Sequence, residues 1–578
     1  MKKFHLIFKK EVEKEAYIIK VSNVLDFCKH QKKIMDVEAT EEQVKLLKKD
    51  PNVLDLLPEE FWLTEVNEAT KDVYYNRPSW NNEKFETDFG NWGLIRHSSL
   101  TDVGTSDTPV TATYEYNYDG SGVDIILNIA SVLNRNDPEF KTGGVSRLQQ
   151  FQWNTLADFE DLPTIDYSRT GQGVSKNVGI DDHAESVSYC AVSNTYGWAT
   201  GATVYIYPRD QMDAAGKSLR SYGWQAMQKF HETKGNNRPT LVIDAIGYSA
   251  TNIIGHYAEN IFYRGTTYTS VAPAGASEQK VPLMAEAGSG KEFGMPHSNS
   301  YTSTGFVSDP DELIPQMTDV EKRAFFEDDV NNIYYGLYGE GIDNMVAAGV
   351  HHVTSAGNNS DASHLKGHPD YANNYKRVAD VTTDGVHTRY FWYMLHGRGN
   401  PTYEGDTIVV GALAQSSSAE GFDGKEHFAQ FSTRGSRVDA CAAGDNIRLN
   451  MYSNGEYIAN GTSFASPNVG GMAALVLGKY PTTTTKQLRR YFREQAVGTD
   501  KLHEGNENLA PSSKYGDPLW FAQSGGFGYS NNIAYLDPDL TFDPTTLPDT
   551  AIADYVPTTS DIHLNYTVDE INTKLGAI

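Results

Sequence analysis

Short apolar runs along the chain predict strands that are buried on both faces. In the segment GVDIILNIAS, Val123, Ile125, Leu127 and Ile129 alternate with other residues, so all four lie on one face of a predicted strand. The segment TIVVGALA at 407–414 is apolar throughout and predicts a second buried strand that ends in small residues. The pattern therefore predicts a sheet in the interior of a large globular domain.

The first 65 residues alternate between strand and helix patterns. Thr40 and Gln43 have the spacing of a capping box at the start of the second predicted helix. We expect a small separate domain with the order β-α-β-α-β. Its predicted elements are, in order, KFHLIFK, the helix NVLDFCKHQ, KKIMDVEA, the helix EEQVKLLKKD and NVLDLLP.

The segment NGTSFASPNVGGMAALVLGKYP at 460–481 resembles the nucleophile-bearing turn and helix of subtilisin-like serine proteases of the S8 family. The resemblance implies that Ser463 is the nucleophile, that it starts a long buried helix, and that Pro467 is tolerated in the first turn. The alternative is structural, because a serine at a helix start is also a favoured N-cap.

Segments before this serine resemble the same family in the expected order. TIVVGALA and HFAQFSTRGSRVDACAAGDNI (427–447) resemble the strand and loop that precede the nucleophile. MVAAGVHHVTSAGNNS (345–360) resembles the helix, strand and loop that bear the oxyanion asparagine. The resemblance implies that Asn358 donates its amide to the oxyanion and that Gly357 lines the substrate site. In subtilisin, removing such a donor costs about 100- to 1000-fold in rate. The alternative is an ordinary Gly-Asn turn.

The segment GIDDHAESVSYCAVSNTYGWATGATVYIY (179–207) resembles the family's histidine helix and the strand after it, which places the general base at His183. The match is weaker here than at the serine. Tyr189 stands where the family has a closely packed glycine, and we expect it to displace neighbouring backbone.

The acid of the triad is missing from the position that the resemblance assigns to it. Counted without gaps from Gly120, that position is Ile129, and a shift of one residue makes it Asn128. Neither side chain is a carboxylate, so neither can stabilise the imidazolium of the base. Four aspartates that lie nearby in sequence are possible substitutes: Asp124, Asp137, Asp181 and Asp182. The alternation of side chains along the predicted strand places Asp124 on the face away from the site.

The segment TLVIDAIGYSA (240–250) resembles the strand that pairs with the substrate backbone, which implies substrate contacts at Ala245, Ile246 and Gly247. The family's serine is replaced by Ala245, whereas Gly247 keeps the close approach that glycine permits. A long insertion follows at about 251–340, with a predicted helix near its end, and we expect it to emerge beside the cleft.

Composition excludes several classes of function. The net charge of −26 argues against nucleic acid as a partner, because phosphate contacts need a basic face. The three cysteines, Cys28, Cys190 and Cys441, are scattered, so we expect no disulfide framework, no metal and no cofactor. The first residues lack a secretory signal and no stretch reaches transmembrane length. We therefore expect a protein that is neither secreted nor bound to a membrane.

These observations predict a subtilisin-like α/β fold with a mostly parallel sheet and helices on both faces. The predicted division is a domain at 1–65 that resembles the family's inhibitory propeptide, a linker at 66–90, the main domain at 91–530 and an extended C-terminal arm at 531–578. The degraded triad, the insertions and the propeptide-like start are similar to S8-domain structural proteins in virions of T4-like marine bacteriophages. The resemblance implies a pseudoprotease that binds protein partners, such as other virion proteins, and is located in the virion or otherwise in the cytoplasm. The alternative is an active serine endopeptidase that acts on peptides with Ser463, His183, Asn358 and an unidentified acid.

Overall fold

The computed structural model describes most of the two predicted domains and parts of the insertion. The described residues are 2–8, 12–26, 34–58, 91–100, 116–168, 182–210, 223–245, 257–263, 266–269, 281–282, 339–358, 365, 374–379, 389–393, 405–414, 428–429, 431–433, 435–453, 455–501 and 532–552.

The N-terminal segment folds as a four-stranded antiparallel sheet with a short helix. Its strands are β1 (Lys2–Phe8), β2 (Asn23–Asp26), β3 (Ile34–Ala39) and β4 (Val53–Pro58), in the order β2-β3-β1-β4, and helix α1 spans Glu41–Leu47. The predicted capping box is confirmed, because Gln43 N donates to Thr40 Oγ1 and Thr40 N donates to Gln43 Oε1.

One predicted helix of this domain is wrong. Asn23–Asp26 forms a strand because it pairs with β3, and the helical turn before it is a 3₁₀ helix at Lys14–Lys20. Pairing with a neighbouring strand outweighs weak local preference in so short a segment.

The main domain is built on a nine-stranded sheet within the described ranges. Its eight parallel strands and one antiparallel edge strand follow the order β21-β22-β18-β17-β14-β10-β5-β9-β8. The parallel strands are β5 (Asp124–Ile129), β8 (Leu148–Gln149), β9 (Thr203–Pro208), β10 (Thr240–Asp244), β14 (His351–Ser355), β17 (Ile408–Leu413), β18 (Ala440–Ala443) and β22 (Asn532–Ala534), and the edge strand is β21 (Val497–Lys501).

Helices cover both faces of this sheet, which confirms the predicted α/β architecture. On one face, α3 (Asp182–Val192) packs against the long α6 (Thr462–Lys479), whose side chains also contact β10, β14 and β17. On the other face, α4 (Gly223–Thr233) packs against α5 (Glu340–Ala347). Two shorter helices are α2 (Gly93–Arg96) and α7 (Thr485–Arg490), and α7 continues into a π-helical turn at Tyr491–Gln495.

Alternation along β5 divides its side chains between two apolar cores, as predicted. Ile125, Leu127 and Ile129 join the core beneath α3 and α6, whereas Ile126 joins the core beneath α4 and α5. Ile34 of the N-terminal sheet belongs to this second core. The two domains therefore share buried apolar surface.

The remaining strands form smaller sheets. The hairpin β19 (Ile447–Met451) and β20 (Gly455–Ala459) lies beside α3, and β6 (Lys141–Thr142) pairs with β7 (Val145–Ser146). The insertion contributes β11 (Tyr257–Tyr263), β12 (Thr266–Thr269) and β13 (Val281–Pro282), which form a separate sheet with β15 (Asn374–Ala379) and β16 (Arg389–Tyr393). The helix predicted late in the insertion lies outside the described residues.

The beginning of the predicted C-terminal arm is part of the main domain. Residues 532–534 form strand β22 next to β18, and Ile533, Leu536 and Leu540 are buried. The aperiodic sequence concealed this, because a three-residue strand and isolated leucines produce no recognisable repeat. Among the described helices, none combines the length and the apolar character needed to cross a membrane.

Candidate active site

The predicted nucleophile lies in the first turn of α6, and its hydroxyl is already engaged. Ser463 is 1% exposed, and its Oγ donates to the carbonyl oxygen of Ala245 over 2.9 Å. A carbonyl oxygen can only accept, so the hydroxyl proton points toward the end of β10. The N-cap alternative is wrong, because Gly461 occupies the cap position.

Pro467 lies beyond the first turn of α6, which corrects its predicted position. It is the sixth residue of a helix that begins at Thr462. Without an N–H, Pro467 cannot bond to the carbonyl oxygen of Ser463 four residues before it. The backbone around the serine is therefore less tightly bonded than the rest of the helix.

Asn358 is held at the start of α6 by its neighbour Thr462. Its Oδ1 accepts from Thr462 N at 2.8 Å and from Thr462 Oγ1 at 2.7 Å. These bonds assign Oδ1 as the acceptor end and leave Nδ2 as the donor end of the amide. A β-carbon at Gly461 would lie 3.1 Å from that Nδ2. The donor end of the amide therefore lies beside Gly461, two residues before Ser463.

The residue before this asparagine is restricted to glycine by its backbone. Gly357 has a φ of +111°, and a β-carbon there would lie 3.0 Å from Thr433 Oγ1. Its carbonyl oxygen accepts from Thr433 N, and its N–H donates to Thr462 Oγ1. Gly357 therefore connects the loop that carries Asn358 to the start of α6.

His183 lies in the first turn of α3, next to the start of α6. Its ring contacts Phe464 with a centroid separation of 5.9 Å. Phe464 follows Ser463 directly, so the structure brings the predicted base and nucleophile to adjoining helix starts.

The predicted acid position is apolar in the structure. Ile129 is 2% exposed and belongs to the same apolar core as Ala184 and Phe464. Asn128 is also buried, but alternation places its side chain on the opposite face, where its neighbours in register are Asp244 and Tyr207. Within the described residues, Asn128 Oδ1 has no hydrogen-bond partner.

Two of the nearby aspartates are committed to other partners. Asp124 pairs with Lys234 Nζ at 2.7 Å beneath α4, as alternation predicted. Asp137 accepts from the hydroxyl of Tyr189 at 2.7 Å, and burial raises the pKa of its carboxyl. Asp182 lies in the first turn of α3, and Asp181 lies outside the described residues.

Tyr189 fills space that the family resemblance assigns to a glycine. Its ring is fully buried, stacks on Tyr196 with centroids 5.7 Å apart and meets Phe140 edge-on. Its hydroxyl donates to Asp137 and accepts from Tyr452 N at 2.9 Å. The tyrosine therefore ties α3 to the turn of the β19–β20 hairpin.

Two buried acids near the site were missed by the sequence analysis. Glu185 on α3 accepts from the N–H and the hydroxyl of Ser453, and burial raises the pKa of its carboxyl to about 7. Asp244 faces α4, with Oδ2 3.8 Å from His352 Nε2. No sequence signal distinguishes either acid, because each environment depends on residues distant in the chain.

Of the three residues predicted to contact substrate in segment 240–250, only Ala245 lies among the described residues. Ala245 is 3% exposed and contacts the serine as above, whereas Ile246 and Gly247 lie outside the described residues. Cys190 and Cys441 are buried free thiols, and burial raises the pKa of Cys190. In the described part of the chain, no group of three or more His, Cys, Asp or Glu side chains is arranged to hold a metal ion.

Comparison with known proteins gives a partial match to one family. Residues 297–518 match the Peptidase_S8 model, the subtilase family. This range contains Asn358 and Ser463, and it begins after Ile129 and His183. The matched range and the parallel sheet together show a subtilisin-like fold.

Individual relatives match over short stretches. Subtilisin DY of Bacillus licheniformis is 34% identical over 121 residues, which cover 21% of this chain and 37% of that protein. Subtilisin amylosacchariticus of Bacillus subtilis subsp. amylosacchariticus is 41% identical over 121 residues, 21% of this chain and 27% of that protein. The chain thus spans between about a quarter and two fifths of the length of these relatives.

Among solved structures, a cold-adapted subtilisin-like serine proteinase has a TM-score of 0.38 and 16% identity, covering 72% of this chain and 94% of that chain. Sphericase has a TM-score of 0.35 and 16% identity, covering 67% of this chain and 86% of that chain.

Proposed function

We propose that this chain is a pseudoprotease, a subtilisin-like fold with a degraded catalytic triad that serves as a structural or binding component. The observation that supports the proposal most strongly is the apolar surrounding of Ile129. A carboxylate at that position would accept the histidine's Nδ1–H and stabilise the imidazolium as the serine loses its proton. Isoleucine does neither.

The size of this defect favours a scaffold over an enzyme. Loss of the acid alone lowers the rate of such triads by about 10⁴-fold. That factor corresponds to about 5.5 kcal/mol of activation free energy. The hydroxyl of Ser463 is also directed to the carbonyl oxygen of Ala245, so a base must first compete with that bond.

The partners of the proposed scaffold are proteins. An extended peptide can pair by strand addition with the backbone at Ala245, Ile246 and Gly247, the segment that the resemblance assigns to the substrate, even without catalysis. The family resemblance favours other virion proteins as partners, with the N-terminal domain kept attached as a propeptide that is never removed. Intact mass of the purified chain tests this point, because loss of about the first 70 residues would contradict it.

The second candidate is an active serine endopeptidase. It is favoured by the orientation of Asn358, whose Oδ1 is occupied by Thr462 so that Nδ2 is the donor end of the amide. In this alternative Ser463 is the nucleophile, His183 the base and an unidentified carboxylate the acid.

Labelling with a fluorophosphonate probe separates the two. We expect the folded wild-type protein to remain unlabelled, and Ile129→Asp to gain labelling that is lost again when Ser463→Ala is added. Ser466→Ala is the matched control, because Ser466 lies on the same helix and its hydroxyl also donates to a backbone carbonyl oxygen of the neighbouring strand, that of Asp244. Labelling of the wild type that disappears only in Ser463→Ala would establish a competent nucleophile and refute the pseudoprotease.

A further inference from the structure

A polar pocket lies at the end of the main sheet opposite to Ser463. Its walls include Pro239 and Gly349, which come just before strands β10 and β14, and Pro481, which lies two residues beyond the end of α6. Ser463 starts α6 and bonds to Ala245 at the other end of β10. The pocket has a volume of about 580 Å³, which falls in the range of small-molecule sites.

Two neutral histidines line this pocket. His351 is 4% exposed, and its Nδ1 has no hydrogen-bond partner among the described residues. Burial, together with the neighbouring His231, lowers the pKa of His351 to about 3, so its imidazole is uncharged at neutral pH. An unpaired buried nitrogen costs about 1–3 kcal/mol when it bears a proton that finds no acceptor. We therefore assign the His351 proton to Nε2.

The neighbouring imidazole has the same tautomer for a different reason. Lys234 Nζ donates to Thr240 Oγ1 at 2.7 Å, and Thr240 Oγ1 lies 2.7 Å from His231 Nδ1. The threonine hydroxyl accepts from the ammonium and still has its own proton to donate, so we assign it as the donor to His231 Nδ1. His231 then keeps its proton on Nε2, so the pocket wall holds two uncharged N–H donors.

Charges of both signs surround these donors. Lys486 on α7 is half-buried at the pocket and forms no ion pair with a carboxylate of the described residues. The pocket is also lined by Arg238, Asp343, Asp406 and Asp549. Asp406 lies 3.7 Å from Arg489, and Arg238 lies 3.5 Å from Asp124. A polyanion would face three carboxylates, and a simple cation would leave Lys486 without a counter-charge. A ligand with one carboxylate and one ammonium satisfies both kinds of group.

We propose that this pocket binds a small zwitterion, an amino acid or a dipeptide. Its carboxylate would bind Lys486 and the imidazole N–H groups, and its ammonium would bind Asp343 or Asp406. The site is separate from the serine and does not depend on whether the chain is a protease.

Isothermal titration of the full-length protein with glycylglycine tests the proposal. We expect saturable binding at one site, and binding at least tenfold weaker for N-acetylglycylglycine and for glycylglycine amide, which each lack one charge. Lys486→Gln should weaken glycylglycine binding about tenfold, which corresponds to about 1.4 kcal/mol. Lys229→Gln is the charge-matched control, because Lys229 lies on α4 and pairs with the exposed Asp158.

Four results would overturn the proposal. One is the absence of binding to folded protein at millimolar glycylglycine. The second is equal binding of the blocked analogues, and the third is equal loss of affinity in Lys486→Gln and Lys229→Gln. Tighter binding of inorganic phosphate than of glycylglycine would also contradict it, because the pocket would then select an anion.

Discussion

Replacing Glu185 with glutamine should remove a loss of stability that the wild-type protein suffers as pH rises. The Glu185 carboxyl is 3% exposed and is bonded to the N–H and the hydroxyl of Ser453. Burial raises its pKa, and the nearby charges of Asp137 and Asp182 add to this effect. A neutral amide at this position imitates the protonated acid.

The sign and size of the effect follow from the raised pKa. Between pH 4.5, the usual pKa of glutamate, and about 7, the folded protein holds a proton that the unfolded chain has released. Stability therefore falls with rising pH across this window. At about 1.36 kcal/mol per pH unit, ionisation of Glu185 costs the folded state about 3 kcal/mol at pH 8.

Denaturant unfolding followed by tryptophan fluorescence at pH 5 and pH 8 measures this directly. The free energies of unfolding of wild type and Glu185→Gln should agree within about 1 kcal/mol at pH 5 and differ by about 3 kcal/mol at pH 8, with the variant more stable. Glu232→Gln, which alters an exposed glutamate on α4, should show no such difference. Equal pH profiles for wild type and Glu185→Gln would refute the reasoning.

Two further predictions concern the framework of the site. Asp439 is fully buried among three arginine side chains, so Asp439→Asn should lower the free energy of unfolding by about 3–5 kcal/mol, whereas Asp158→Asn at an exposed pair should change it by less than about 1 kcal/mol. Equal effects in urea titrations would contradict this. Gly357→Ala should lower the free energy of unfolding more than Gly122→Ala does. Both glycines have positive φ, but only at Gly357 would the new β-carbon meet another atom, Thr433 Oγ1 at 3.0 Å. The backbone alone accounts for about 1–2 kcal/mol at each position, so equal melting temperatures of the two variants would show that the contact has no cost.

The elements that were predicted correctly from the sequence are those whose apolar composition allows only a buried strand. The run at 407–414 and the alternation before Ile129 are buried strands, because a continuous apolar segment has no other place in a folded chain. The strand at Asn23–Asp26 was mispredicted because its partner, β3, decides its conformation. Residues 532–540 were assigned to an arm for the same reason, since only the edge of the sheet makes them core.

The sequence motifs of the site could be predicted, but the hydrogen bonds that join them could not. The motif around Ser463 and the Gly-Asn pair that contains Asn358 follow from local sequence. The bond from Ser463 to Ala245 joins residues 218 positions apart, and the bonds from Ser453 to Glu185 join residues 268 positions apart. Such contacts exist only after the sheet has formed, so no local pattern reveals them.

The contacts that hold α3 in place affect whether an aspartate at position 129 would be sufficient to orient His183. In a working triad, the acid fixes the orientation of the histidine. Here Tyr189 and Glu185 tie α3 to the β19–β20 hairpin through groups unrelated to His183. An aspartate at position 129 would enter an apolar core, where desolvation raises the pKa of a carboxyl. We therefore expect fluorophosphonate labelling of Ile129→Asp to increase between pH 6 and pH 9 as the new carboxyl ionises. Labelling that is already maximal at pH 6 would contradict this, because the carboxyl would then be ionised without the cost that its apolar surroundings impose.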